Sequence, residues 1–273
     1  MISKQVHDFQ NKIWSFYGQH KRDFSWRENI TPYRVVVSEI MLQQTQTARV
    51  ALKFENWMTH FPSWEKLAQA SELQVLQAWQ GLGYNRRGLA LHKIATIVVE
   101  KYNSELPQNP KALMQFPQVG PNTAASICAF AFNLPVSFIE TNIRTVFIAE
   151  FFPGKNNIHD QEIIPLIESS VDHQNPREWY YALMDYGNHL KKSLKNSNAA
   201  SKHYTKQSRF KGSKREIRGF VIKQLTKENH IHLDDLKKEI TAQLFHNNHD
   251  VLAIIETLLK EGIIKRLDDT IYI

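Results

Sequence analysis

Apolar residues recur at helical spacing through roughly the first two hundred positions, and the alternation of a half-buried strand is scarce before Ile263. That regularity confines the body of the chain to an all-α architecture. Thr31–Pro32 opens one helix with proline in its first turn, where a missing N–H costs nothing, and Val35, Val36, Ile40, Met41 and Leu42 give it an apolar face. Phe61–Pro62–Ser63 breaks the next helix, and Ser63 and Ser71 offer side-chain oxygens as caps for those that follow. Residues 72–80 predict a helix, Gly81–Leu82–Gly83 a turn, and residues 86–102 a long helix. Residues 111–116 and 122–132 predict two more, separated by Pro117–Gln118–Val119–Gly120–Pro121.

The last sixty residues follow a different plan. Residues 214–225, 234–244 and 250–260 are helical in pattern, 230–233 is a short extended piece, and Gly262 is a stop. Residues 263–273 then alternate around Asp268–Asp269, a hairpin signal. Helix, strand, helix, helix, hairpin is the order of a winged helix-turn-helix domain, a module that binds DNA or another protein. The expected division is an α-helical body over 1–212 and a small winged-helix-like α/β domain over 213–273. Within the body, a six-helix lobe covers about 31–134. A second lobe is built from 1–30 with 135–190, and a basic segment spans 191–212.

A chain of 273 residues is long enough for two cores, and only 10 Gly and 10 Pro argue against extended disorder. No signal-peptide pattern occupies the first twenty residues, and no apolar run is long enough to span a bilayer. The expectation is a cytoplasmic, DNA-associated protein with no membrane partner. The single cysteine, Cys128, excludes an internal disulfide framework and any cysteine-built zinc or iron–sulfur site. Net charge is +7, and its distribution carries more than its sum. Between Lys191 and Arg218 stand ten bases against one acid, with His203, Tyr204 and Phe210 interleaved. A solvated basic linker would look the same, but cations mixed with aromatic rings suit a phosphate-facing strip. The sixty residues after Ser213 carry ten bases and ten acids and are neutral.

The turn Phe116–Pro117–Gln118–Val119–Gly120–Pro121–Asn122–Thr123 aims a helix N-terminus outward, an arrangement that suits a phosphate oxygen. On its own it is an ordinary helix–helix turn. Other strings stand in order around it: Trp26–Arg27, Thr31–Pro32–Tyr33, and Ser38–Glu39–Ile40–Met41–Leu42–Gln43–Gln44–Thr45–Gln46. Further on come Gly81–Leu82–Gly83–Tyr84, Leu91–His92–Lys93, Glu140–Thr141–Asn142–Ile143–Arg144 and Met184–Asp185–Tyr186–Gly187. From Trp26 to Gly187 this set resembles the helix-hairpin-helix DNA glycosylase superfamily, and within it the MutY adenine glycosylases. Endonuclease III is a more distant likeness.

The resemblance implies a two-lobed glycosylase body acting on double-stranded DNA with a flipped base. Glu39 matches the acid that protonates adenine N7, a task for a carboxyl held out of water. Glu140 matches the carboxylate that stabilises positive charge on the deoxyribose. The family normally has aspartate there, and one extra methylene moves the charge by roughly 1.5 Å. Asn142 matches an asparagine that orients the water or the carboxylate. Asn122 stands where bifunctional relatives carry a Schiff-base lysine, so the strand is expected to stay uncut, with no strong AP-lyase activity. Gln43 and Tyr84 match residues that fill and wedge the duplex. Arg86, Gln118, Val119, Gly120, Asn122 and Thr123 join them as expected DNA contacts. Backbone carbonyls of Met114, Phe116 and Val119 match a monovalent cation site for Na+ or K+, and no other cofactor is expected.

Three departures stand out. Gln118 replaces the usual hairpin glycine. The four cluster cysteines of the family correspond to Lys191, Asn198, Ser201 and Gln207, which excludes an iron–sulfur cluster. The winged-helix pattern also does not match the larger domain with which MutY reads oxidised guanine, so the partner of the C-terminal domain is open. Adenine is the first candidate base. Release of mismatched thymine or uracil, or of a damaged purine, is the enzymatic alternative. A non-catalytic lesion-binding protein is the rival from another class.

Overall fold

The computed structural model describes residues 4–193 and 197–273, and one expected member of the basic strip, Lys195, lies outside them. Two compact units divide the chain. One consists of Met1–Glu39 with Pro107–Lys206, the other of Ile40–Leu106 with Gln207–Ile273. In chain order the helices of the first half are α1 (Lys4–His20), α2 (Pro32–Leu42), α3 (Thr47–His60), α4 (Trp64–Ala68), α5 (Glu72–Ala78) and α6 (Arg86–Tyr102). Then come α7 (Pro110–Leu113), α8 (Pro121–Phe132), α9 (Thr141–Phe151), α10 (Asp160–Ser170) and α11 (Pro176–Ser193). The C-terminal elements are α12 (Lys214–Glu228), β1 (His230–His232), α13 (Leu233–Gln243), α14 (Val251–Lys260), β2 (Lys265–Leu267) and β3 (Thr270–Tyr272).

The first unit is built on α11. Trp179 and Tyr180 of this helix are fully buried, as are Ile13 of α1 and Phe147 of α9. Phe9 meets Trp179 edge to face at 5.9 Å, a favoured aromatic geometry. Gly187 is the point of closest approach, because a Cβ there would stand 2.4 Å from the carbonyl oxygen of Asn142. Two motif residues prove to be structural. Arg27 makes a bidentate pair with the fully buried carboxylate of Asp185 at 2.9 Å, and Arg22 Nε adds a bond at 2.7 Å. Removing either arginine would leave a buried anion short of partners. On the other side of α11, Tyr181 stacks on Phe130 at 4.7 Å and Arg177 Nε donates to the Phe130 carbonyl, which ties α8 into this unit.

In the second unit α6 packs against α4 and α5, with Trp57 and Trp79 edge to face at 5.5 Å. Ser71 caps α5 through a reciprocal bond pair with Gln74. The C-terminal elements appear in the predicted order and close a three-stranded antiparallel sheet, β1-β3-β2, in register at Ile231↔Ile271 and Leu267↔Thr270. The fold is mostly helical with a small C-terminal sheet.

The packing cuts the chain differently from the expected boundary at 212/213. Gln77 Nε2 donates to the Thr226 carbonyl at 2.9 Å and Lys265 pairs with Glu72, so α12 and the hairpin belong with residues 40–106. Residues 107–134 instead join α11, which splits the expected 31–134 lobe. The helix expected over 111–116 shrinks to α7. Gln115 and Phe116 donate three residues back, to Ala112 and Leu113, because Pro117 has no N–H to continue an α-helical ladder.

Candidate active site

α7, the turn and α8 form the helix–hairpin–helix. Val119 N donates to Phe116 O at 3.2 Å across the turn, and Gln118 holds φ +62°. The glycine expected at that point is therefore replaced without loss of the left-handed turn. A Cβ in this region costs about 1–2 kcal/mol, partly offset by the greater unfolded-state freedom of glycine. Gln118→Gly is expected to stabilise the protein by about 1 kcal/mol in urea unfolding, with an unchanged slope. Gly120 precedes Pro121 and has no side chain with which to cap α8, so the N–H groups of the first turn suit an external acceptor. Gln118, Gly120 and Asn122 are exposed and Thr123 is partly so. The Val119 side chain is buried, so the contact expected there falls to its backbone.

Glu39 sits late on α2, on the same unit as α8. Its partner is Ser126, whose hydroxyl bonds Glu39 Oε2 and also lies 3.0 Å from the Thr123 carbonyl. Burial is the main cause that pushes the Glu39 carboxyl up, to about 7. The Ser126 hydrogen bond opposes the rise and the nearby charge of Glu140 adds to it. A hydroxyl has one proton, so the pair can serve both states of the acid. Ionised, Glu39 accepts from Ser126; protonated, it donates to Ser126, which turns its own proton to Thr123 O.

Glu140 caps α9. Its Oε1 accepts the backbone N–H groups of Asn142 and Ile143, each at 2.8 Å, and Asn142 Nδ2 reaches Oε2 at 3.2 Å. Asn142 Oδ1 in turn accepts from Lys191 Nζ at 2.8 Å. Asn122 Oδ1 accepts the N–H of Ile139 at 3.2 Å, one residue before Glu140, and so braces the segment that delivers the carboxylate. The four expected catalytic residues, Glu39, Asn122, Glu140 and Asn142, thus fall on one unit. Together they offer an acid poised near neutrality beside a fixed anion, a combination suited to breaking a glycosidic bond.

The expected duplex contacts Gln43, Tyr84 and Arg86 fall on the other unit. Arg86 is exposed at the start of α6. Its neighbour Arg87, missed in the sequence, is the organiser. It is 4% exposed and donates to the carbonyls of Ile40, Met41, Gln43, Leu82 and Gly83 and to Thr45 Oγ1. This ties the end of α2 to the loop that presents Tyr84. Arg87→Met would strand those acceptors and is expected to cost about 3 kcal/mol in urea unfolding. Tyr84, at φ +48°, has its hydroxyl bonded by Gln207 Nε2 at 2.6 Å and by Arg215 Nη1 at 3.4 Å. A groove of about 1000 Å³ adjoins this loop, lined by Arg49, Arg86, Phe210 and Arg218 among others.

None of Lys191, Asn198, Ser201 and Gln207, where the resemblance would place cluster cysteines, carries a thiol. Lys191 bonds Asn142, Gln207 bonds Tyr84, and Ser201 bridges to Ile158. The lone thiol, Cys128, is buried in α8, which pushes its pKa up to about 11. Among the described residues no group of three or more His, Cys, Asp or Glu is placed to hold a metal ion, and no helix is long and apolar enough to cross a membrane.

Residues 37–173 match the HhH-GPD superfamily base excision DNA repair protein family. The adenine DNA glycosylase of Mycobacterium tuberculosis is 37% identical over 141 residues, which cover 51% of this chain and 46% of that protein. The adenine DNA glycosylase of Homo sapiens is 34% identical over 195 residues, 67% of this chain and 36% of that one. The matched part thus spans less than half the length of either relative. A thermostable thymine-DNA glycosylase shares the fold at a TM-score of 0.63 and 24% identity, over 71% of this chain and 91% of that one. Endonuclease III in a non-covalent DNA complex does so at 0.58 and 15%, over 69% and 87%.

Proposed function

Because this chain belongs to the HhH-GPD superfamily of base excision DNA repair proteins, we propose that it is a monofunctional DNA glycosylase that releases adenine from a mispair. The observation that carries this reading is the carboxyl of Glu39, bonded by Ser126 and placed on the same unit as Glu140, where burial pushes it up to about 7. Near neutral pH such an acid is partly protonated and is still acidic enough to give its proton away.

A duplex supplies the substrate with its base turned out of the stack, since the glycosidic bond is inaccessible inside it. The N-terminus of α8, opened by Gly120, receives a backbone phosphate, while Gln43 and Tyr84 occupy the stack. A monovalent cation on the carbonyls of Met114, Phe116 and Val119 would supply positive charge behind that phosphate. No iron–sulfur cluster is required. Glu39 donates its proton to adenine N7, the C1′–N9 bonding pair leaves with the base, and positive charge develops on the sugar. Glu140 Oε2 faces that charge as a preorganised anion. Water adds to C1′ and its proton passes through solvent to restore the acid on Glu39, leaving an abasic site, neutral adenine and a net balance of one water consumed. Asn122 has no amine with which to form a Schiff base, so the strand stays intact.

Labelled duplexes carrying adenine, thymine, uracil or hypoxanthine opposite guanine or oxidised guanine test the reading. Adenine release, with strand cleavage only after alkali, is the expected result. Release of another base would keep the mechanism and replace the substrate. No release from any duplex would leave a DNA-binding protein.

A further inference from the structure

α11 passes the start of α9 at backbone distance because residue 187 has no side chain; a Cβ would meet Asn142 O at 2.4 Å and Asn142 Cβ at 2.8 Å. One helical turn later, on the same face of α11, stands Lys191. Its Nζ lies 2.8 Å from Asn142 Oδ1. In the charge run this lysine looks like the first cation of a solvated strip. In the fold it is half-buried, and burial lowers its pKa; Arg144 acts in the same direction and Glu140 opposes both.

The chemistry of the partners settles which way round the Asn142 amide lies. An ammonium can only donate and a carboxylate can only accept. Oδ1 must therefore face Lys191 and Nδ2 must face Glu140, where it donates to Oε2 at 3.2 Å. A flipped amide would set oxygen against oxygen and NH2 against ammonium, exchanging two hydrogen bonds for two repulsions. Glu140 Oε1 is meanwhile held by two backbone N–H groups at 2.8 Å. With the amide fixed, the remaining acceptor direction of Oε2 is the one left for substrate.

We propose that Lys191 is a positioning residue of this centre: its ammonium locks the Asn142 carboxamide so that Glu140 Oε2 presents one fixed acceptor direction to the reacting sugar. Lys191 reaches the carboxylate only through Asn142, as the chain Lys191 Nζ to Asn142 Oδ1 and Asn142 Nδ2 to Glu140 Oε2. The inference rests on the glycosylase reading, and its test separates the two.

The comparison is wild type against Lys191→Met and Lys191→Arg. Single-turnover release from an adenine-containing duplex and affinity for that duplex are measured together with the side-chain 15N–1H2 resonances of Asn142 in the free protein. Those resonances are identified by their loss in Asn142→Ala. Lys191→Met is expected to lower the single-turnover rate about tenfold to a hundredfold, the scale of a misplacement near 1 Å. Duplex affinity should stay within about twofold on this account, because the ammonium is committed to Asn142. The Asn142 resonances should move in Lys191→Met, and Lys191→Arg should restore both the rate and the resonances. A Lys191→Met protein with wild-type rate and unmoved resonances overturns the proposal. So does one whose only change is weaker duplex binding, which would make Lys191 a phosphate contact. If wild type releases no base, the glycosylase reading falls, and the resonances alone still decide whether Lys191 orients Asn142.

Discussion

Glu39→Gln is expected to lower adenine release by about a thousandfold while duplex binding is kept, because glutamine fills the same space and has no proton to donate at neutral pH. The measurement is single-turnover base release against pH. In wild type the rate is expected to fall as pH rises through about 7, where Glu39 loses its proton. Glu39→Gln loses that dependence along with the rate, and equal rates in the two proteins would remove Glu39 as the acid. The same substitution has a second expected effect of opposite sign. The folded state holds the Glu39 proton more tightly than the unfolded chain, since its pKa is raised from 4.5 to about 7. The stability this confers is fully present below pH 4.5 and is lost as pH rises through 7. Above 7 the buried charge opposes folding by up to about 3 kcal/mol relative to an unperturbed carboxylate. Glu39→Gln should therefore melt several degrees higher than wild type at pH 8.5 and show little advantage at pH 4.5.

Glu140→Gln is expected to reduce base release by about a hundredfold to a thousandfold, because the proposed mechanism needs an anion facing the sugar. Its carbonyl oxygen can still accept from Asn142 N and Ile143 N, so the cap of α9 survives and stability changes by about 1 kcal/mol or less. Retained duplex binding with lost release marks Glu140 as catalytic. A variant that instead unfolds, or that releases base at the wild-type rate, would assign the residue to capping alone.

Most helices were legible because their apolar faces repeat every 3.6 residues and their ends carry readable signals, such as Ser71 with Gln74 before α5 or Pro121 at the start of α8. The winged-helix order was legible for the same reason, together with the Asp268–Asp269 turn. The unit boundary was not, because Gln77 with Thr226 and Lys265 with Glu72 join positions about 150 and 190 residues apart in sequence. Motif positions placed Glu39, Asn122, Glu140 and Asn142 together, but their partners were hidden. Nothing local to Ser126 points to an acid 87 residues upstream. Arg86 and Arg87 are identical in kind and face about 100° apart on α6, so only packing decides which one is buried. Lys191 was concealed by its company, since a run of cations suggests solvent and not an inward-facing ammonium.

Gly187 has a consequence for how variants of this protein would be interpreted in a genetic screen. The atom nearest an added Cβ is a main-chain oxygen, which no rotamer change can move aside. Alanine there, the smallest possible lesion, must displace the axis of α11 from the start of α9 and carry Lys191 with it. A repair-deficient phenotype arising at residue 187 would then look like damage to a scaffold position far from the chemistry. On the proposed function its origin would be a shifted Lys191–Asn142–Glu140 chain, which an activity assay set beside an abundance measurement would reveal.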